Sequence, residues 1–188
     1  MANIQAVIFD LDGTLVDSLD DIAAALGGAL GDAGLPAPPT SAVKSWVGDG
    51  ARDLVARALA GRADVDAVLA SFRERYRAAP IVRTRLYDGL AAALDVLAAW
   101  PFAAVFGQRQ GMPLKPDPAA ALVAADEMGV QPARCAFVGD SPVDMETARA
   151  AGMRAIAVTW GFRPRAELEA AGADIIVDHP HQLASAIN

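Results

Sequence analysis

Ala6-Val-Ile-Phe-Asp10-Leu-Asp12-Gly-Thr14-Leu-Val-Asp17 decides the reading of this 188-residue chain. Its first four residues are apolar and partly β-branched, the pattern of a strand buried on both faces, and the run stops abruptly at Asp10. In open α/β sheets the carboxyl ends of the strands are where ligands bind, because the connecting loops converge there. Asp10 and Asp12 lie two residues apart, so a continuing strand points both side chains to one face, and Gly13 lets the backbone turn directly after them. One carboxylate can then attack or bind a metal while its neighbour handles a proton. An Asp-Gly turn after a buried strand also serves structure alone, and a calcium loop is the nearest other motif. The EF-hand pattern, however, wants acidic or amide residues at positions one, three and five, and Gly at six. Counted from Asp10, this stretch puts Gly13 at four and Thr14 at five, so calcium is set aside.

Outward from this stretch the pattern is helical. Ser18-Leu-Asp-Asp21 reads as a capping box, followed by Ile22, Leu26 and Leu30 at helical spacing and stopped by Gly34 and the prolines at 36, 38 and 39. Further helices are expected around Val43, Trp46 and Val47, around Leu54 to Leu59, and from Val65 to Tyr76, ending at Pro80. From Leu86 the pattern changes to strand and helix in alternation. Helix 88–99, strand Phe102–Phe106 and helix Ala119–Met128 come first. Strand Cys135–Val138, helix Val143–Ala151, strand Ala155–Val158, helix Arg165–Ala171 and strand Asp174–Val177 follow. Such alternation predicts an α/β fold, a Rossmann-like parallel sheet with helices on both faces. The helical block 18–82 is then an insertion, giving a core of residues 1–17 and 83–188 and a four-helix second unit.

Gly139-Asp140-Ser-Pro-Val-Asp144 repeats the opening geometry: apolar strand, Asp at its carboxyl end, then a helix. Ser141 with Asp144 is itself a capping box, and Pro142 suits the first helical position, so Asp144 has a structural explanation. Asp140 has none, and together with Asp10 it reads as a metal ligand. Lys115-Pro-Asp-Pro118 sets a lysine just before a helix N-terminus, with Asp117 as the expected cap.

The run Phe9 to Ser18, with Lys115-Pro-Asp-Pro118 and Gly139-Asp140-Ser141 to Asp144 in the same order, resembles the three corresponding motifs of the haloacid dehalogenase-like superfamily in its phosphatase branch, with phosphoglycolate phosphatase the most similar type. The resemblance implies that Asp10 is a nucleophile forming an aspartyl-phosphate and that Asp12 protonates the leaving group and then activates water. It implies that Lys115 pairs with the nucleophile and the phosphoryl group, and that Asp10, Asp140 and the backbone carbonyl of Asp12 hold Mg2+, with Asp144 in support. The helical insertion corresponds to the family's cap. There Gly48, Gly50 and Arg52 of Val47-Gly-Asp-Gly-Ala-Arg-Asp-Leu54, with Thr14 in the first motif, are the expected substrate contacts, Arg52 through bidentate pairing with a carboxylate.

One departure from the family is plain. The second motif, a strand ending in Ser or Thr, belongs between the helix read at 88–99 and the strand read at 102–106, which Trp100-Pro101 joins directly. A strand-helix unit of about 25 to 30 residues is absent, the order of size of a βαβ building block. The lost hydroxyl and amide normally hold phosphoryl oxygens, and removing one such donor typically costs about 10² to 10³ in rate. A sugar-phosphate phosphatase, a phosphomutase and a shortened, weakly active phosphate-binding variant therefore stand beside 2-phosphoglycolate hydrolysis.

Composition bounds the partners. The net charge of −7 argues against nucleic acid and anionic membrane as partners, and the resemblance implies a small phosphorylated metabolite. No apolar run approaches the ~20 residues that span a bilayer, and Met1-Ala-Asn-Ile4 lacks the basic start of a signal peptide. The expectation is a cytoplasmic protein, monomeric or homodimeric. Cys135 is the single cysteine and sits in an expected core strand, so it reads as an inert thiol.

Overall fold

A computed structural model describes residues 3–97, 105, 107 and 111–187. Four parallel strands build the sheet in the order β1 (Ala6–Phe9), β4 (Cys135–Gly139), β5 (Arg154–Val158) and β6 (Ile175–Val177). The register pairs Phe9 with Val138, Val138 with Ile156 and Ile156 with Ile175, so every carboxyl end emerges at one edge. Helices α7 (Pro142–Ala150) and α8 (Arg165–Ala170) connect β4 to β5 and β5 to β6, as parallel pairing requires. Among the described residues β1 has no partner on its other side; of the strand expected at Phe102–Phe106 only Val105 is described, exposed and in no strand, and the rest lies outside the described residues, as does the end of helix 88–99.

Side-chain alternation along the strands explains the two cores. Ala6, Cys135, Phe137, Ala155 and Ala157 pack to one face with Met145 and Ala148 of α7, Leu168 of α8, and Ala121 and Ala125 of α6 (Ala119–Glu127). Ala136, Val138, Ile156 and Val158 pack to the other with Leu90 of α5 (Leu90–Leu97) and Leu183 and Ile187 of α9 (Leu183–Ile187). A sheet apolar on both faces needs covering on both, and each fully buried aliphatic side chain contributes roughly 1.5–3 kcal/mol. The small residues of the first face let α7 lie close to the strands.

The chain divides into two compact units, residues Met1–Leu15 with Leu86–Asn188, and residues Val16–Arg85. The second holds α1 (Leu19–Asp32), α2 (Thr40–Trp46), α3 (Ala51–Leu59) and α4 (Val65–Ala78) around Leu26, Leu30, Val43, Val55 and Leu59. Phe72 stacks on Tyr76 with centroids 5.9 Å apart, and Arg75 of α4 binds Asp32 of α1. Two short strands, β2 (Val16–Asp17) and β3 (Arg85–Leu86), form a separate two-stranded sheet.

Two local expectations are corrected. Ser18 makes no side-chain capping bond, and the buried carboxylate of Asp21 accepts from the amides of Val82, Arg83 and Thr84 at 2.8–3.1 Å and from the Thr84 hydroxyl at 2.7 Å. Asp21 thus ties the first turn of α1 to the segment that leaves α4. Helix α6 begins at Ala119, with Pro118 as its N-cap, because the Asp117 carboxylate caps the Ala119 amide at 2.9 Å. Among the described residues no helix is long and apolar enough to cross a membrane.

Candidate active site

Asp10 follows the last residue of β1, and its amide still donates to Val138 O at 2.9 Å, so the ladder fixes the point where the chain leaves the sheet. Asp140 follows β4 next door. Parallel pairing of β1 with β4 therefore brings two carboxylates together from positions 130 residues apart in sequence. Lys115, preceding a cis Pro116, donates to Asp10 Oδ1 at 2.8 Å and to Asp144 Oδ1 at 2.5 Å, with its ammonium 6.0 Å from the Phe137 ring centroid. Asp144 sits in the first turn of α7, where Oδ2 accepts from the Ser141 amide at 3.0 Å and its hydroxyl at 2.6 Å. Both oxygens of Asp144 are thus committed and its side chain is 1% exposed, whereas Asp10 remains 23% exposed and reachable by a ligand.

The Asp140 carboxylate is held from two sides. Thr14 Oγ1 donates to Oδ1 at 3.2 Å and the Phe162 amide donates to Oδ2 at 2.7 Å. Gly13 turns the chain with φ +92°, and a Cβ there would meet Asp140 Oδ2 at 2.5 Å. Gly161 lies just as close, so that any side chain would overlap Asp140 and the carbonyl of Gly13. Trp160 Nε1 donates to Thr14 O at 3.0 Å.

Charge is concentrated here. Burial pushes the Asp10 carboxyl up to about 6, the Asp144 charge adds to the rise, and Lys115 pulls against it; Asp12 adds a smaller push. Burial also pushes Asp140 up to about 7, again reinforced by Asp144 and opposed by the Phe162 amide. Burial works against the charge on Lys115, but Asp144 and Asp10 outweigh it and hold the lysine above its ordinary range, so it stays protonated. Ligand oxygens of Asp10, Asp140 and Asp144 lie within 4.8 Å of one another. Asp10, Asp140 and Asp144 each offer a carboxylate oxygen that could hold a cation, and Asp144 is the one that also pairs with both Ser141 and Lys115. Hard oxygens suit Mg2+, which takes one or two carboxylates and fills its octahedron with water and phosphate oxygens. The carboxylate of Asp12, half-buried beside Asp10, is outside this cluster.

Of the residues singled out from sequence, Asp10, Thr14, Lys115, Asp140 and Asp144 are brought into direct contact. Gly48, Gly50 and Arg52 lie in the helical unit, where Gly48 and Gly50 take φ +128° and +93°. Arg52, exposed at the start of α3, pairs with Asp66 of α4. The segment Trp160-Gly161-Phe162 was not legible from sequence, since it carries no ionisable group; the glycine between two aromatics after a buried strand was its only signal. Thr159, the one hydroxyl ending a later strand, donates to Asp178 at 2.8 Å.

The chain belongs to the haloacid dehalogenase-like hydrolases and is a phosphoric monoester hydrolase. The family model for haloacid dehalogenase-like hydrolases matches residues 7–101, and a second HAD-hydrolase-like model matches residues 114–183. Among its relatives, N-acetylmuramic acid 6-phosphate phosphatase of Pseudomonas putida is 32% identical, over 98% of this chain and 96% of the relative. Phosphoglycolate phosphatase of Xanthomonas campestris is 33% identical over 95% and 94%. These alignments run over 215 and 208 residues against the 188 of this chain, in keeping with a missing strand-helix unit. The crystal structure of a predicted phosphoglycolate phosphatase from Haemophilus somnus superimposes with a TM-score of 0.85 at 27% identity, covering all of both chains.

Proposed function

We propose that this phosphatase hydrolyses 2-phosphoglycolate, a small phosphomonoester that also carries a carboxylate, through an aspartyl-phosphate on Asp10 and with Mg2+ as cofactor. The observation that carries the reading is the ion pair of Asp10, kept partly exposed at a strand end, with Lys115, and the approach of carboxylate oxygens of Asp10 and Asp140 to within 4.8 Å across β1 and β4. Asp10 Oδ attacks phosphorus in line as the alkoxide leaves. Asp12, two residues on, donates the proton the alkoxide needs and then takes one from water, whose attack releases phosphate and restores Asp10. Lys115 neutralises the phosphoryl oxygens, a positioned charge that needs no reorganisation during the step. Asp10, Asp140 and the Asp12 carbonyl would hold Mg2+, which supplies Lewis-acid stabilisation of phosphoryl charge. Thr14, Gly48, Gly50 and Arg52 complete the proposal as substrate contacts. The Arg52–Asp66 pair is exposed on both sides and so is easily exchanged for a substrate carboxylate. A cytoplasmic protein acting alone or as a homodimer accords with this chemistry.

Similarity to an N-acetylmuramic acid 6-phosphate phosphatase supports a second reading, a sugar phosphate as substrate. Both are tested by Mg2+-dependent phosphate release from 2-phosphoglycolate, N-acetylmuramic acid 6-phosphate, hexose phosphates and an aryl phosphate. Selective release from 2-phosphoglycolate, lost with Arg52→Ala as a rise in KM, supports the first reading. Preference for the amino-sugar phosphate replaces it with the second.

A further inference from the structure

We infer that Trp160 is a positioning residue for the metal site, acting through the loop Asp10–Thr14; the inference rests on the Mg2+ reading above. The segment after β5 touches the site at three places. The Phe162 amide donates to Asp140 Oδ2, Gly161 lies against Asp140 and the Gly13 carbonyl, and Trp160 Nε1 donates to Thr14 O. Thr14 closes the circuit, because its hydroxyl donates to the other oxygen of Asp140. Trp160 thus fixes the backbone of the residue whose side chain orients one proposed ligand, while the residue packs against the core on that face of the sheet, the one that holds Val158 and Leu183. The indole is anchored on its apolar side and bonded on its polar side, the arrangement that suits a rigid link. Partners that orient metal ligands typically change metal affinity 10–100-fold when removed. Trp160, Gly161 and Phe162 themselves touch no substrate in the proposed reaction, so the loss of the Trp160 donor is read first in cation binding.

The first test is calorimetric titration of Mg2+ into Trp160→Phe, which keeps an aromatic ring in the packed position and removes the indole N–H donor with the pyrrole half of the ring. The expected result is a Kd about tenfold or more above that of the parent, with kcat recovered at saturating Mg2+. A second measurement keeps Trp160 in place: in a Trp46→Phe/Trp100→Phe protein, Trp160 is the single tryptophan, and its emission is expected to shift on Mg2+ binding with the calorimetric Kd. Parent protein that binds Mg2+ while Trp160 emission stays constant, or a Trp160→Phe affinity within twofold of the parent, overturns the inference and leaves the metal reading standing. Parent protein that binds no Mg2+ overturns both.

Discussion

At the scale of single residues, the most demanding positions are those where backbone meets carboxylate. Gly161 accepts no Cβ without moving Asp140, so Gly161→Ala is expected to weaken Mg2+ binding and phosphate release by at least tenfold while Gly31→Ala, with open space around it and an ordinary φ, does neither. Parallel Mg2+ titrations and rate measurements check this. Asp21 gives a pH prediction. Its burial favours the neutral form, but the Thr84 hydroxyl and the amides of Val82, Arg83 and Thr84 outweigh burial and hold the carboxyl well below its ordinary 3.8. A depressed acid binds fewer protons folded than unfolded, so its contribution is present above about pH 4 and lost as pH falls below that. Thermal unfolding of parent and Asp21→Asn should therefore differ most near neutrality and converge in acid. A difference that stays constant down to pH 2 would contradict the assignment. Neither role was readable in advance: Gly161 lacks any chemistry of its own, and the capping-box pattern at Ser18 is local, whereas the partners of Asp21 lie 61 to 63 residues away.

Among the elements, the four strands of the parallel sheet were legible, the two-residue strands β2 and β3 were not, and helix ends were less so. Runs such as Cys135 to Val138 and Ala155 to Val158 are apolar throughout because both faces of a parallel strand are buried, and the strands form there with ends shifted by a residue. Their carboxyl ends therefore located Asp10 and Asp140 directly. Ser141 with Asp144 was legible as a local pair, but the contact of Asp144 with Lys115 needs the sheet and α7 to be in place. The start of α6 at Ala119 was legible, but its cap position moved from Asp117 to Pro118, because both residues are favoured at helix beginnings and the aspartate caps from one residue farther out. In the helical unit, Leu26 of α1 is fully buried, so Leu26→Ala is expected to cost about 2–5 kcal/mol, whereas Leu122→Ala on the 38% exposed face of α6 should fall within about 0.5 kcal/mol. Denaturant unfolding of the two variants measures both, and equal costs would contradict the packing described.

For the whole molecule, a net charge of −7 and a cluster of three carboxylates, two of them paired with one lysine, make a divalent cation the natural stabiliser. Mg2+ at about a hundredfold above its Kd is expected to add about 2.7 kcal/mol, read as a raised unfolding midpoint that chelator reverses. Lys115 is the cationic side chain that pairs with Asp10, at 2.8 Å. Lys115→Met is accordingly expected to lower kcat by 10²-fold or more. It also leaves Asp10 and Asp144 uncompensated, a loss of about 3–5 kcal/mol in the metal-free protein. The central claim, attack by Asp10, is tested most directly by mixing enzyme, Mg2+ and 2-phosphoglycolate, quenching in acid within one turnover and mapping phosphate by peptide mass spectrometry. The account predicts a hydroxylamine-sensitive acyl phosphate on Asp10, and none in Asp10→Asn, which should release no phosphate. Turnover by the parent without any adduct on Asp10, together with sustained turnover by Asp10→Asn, would contradict it.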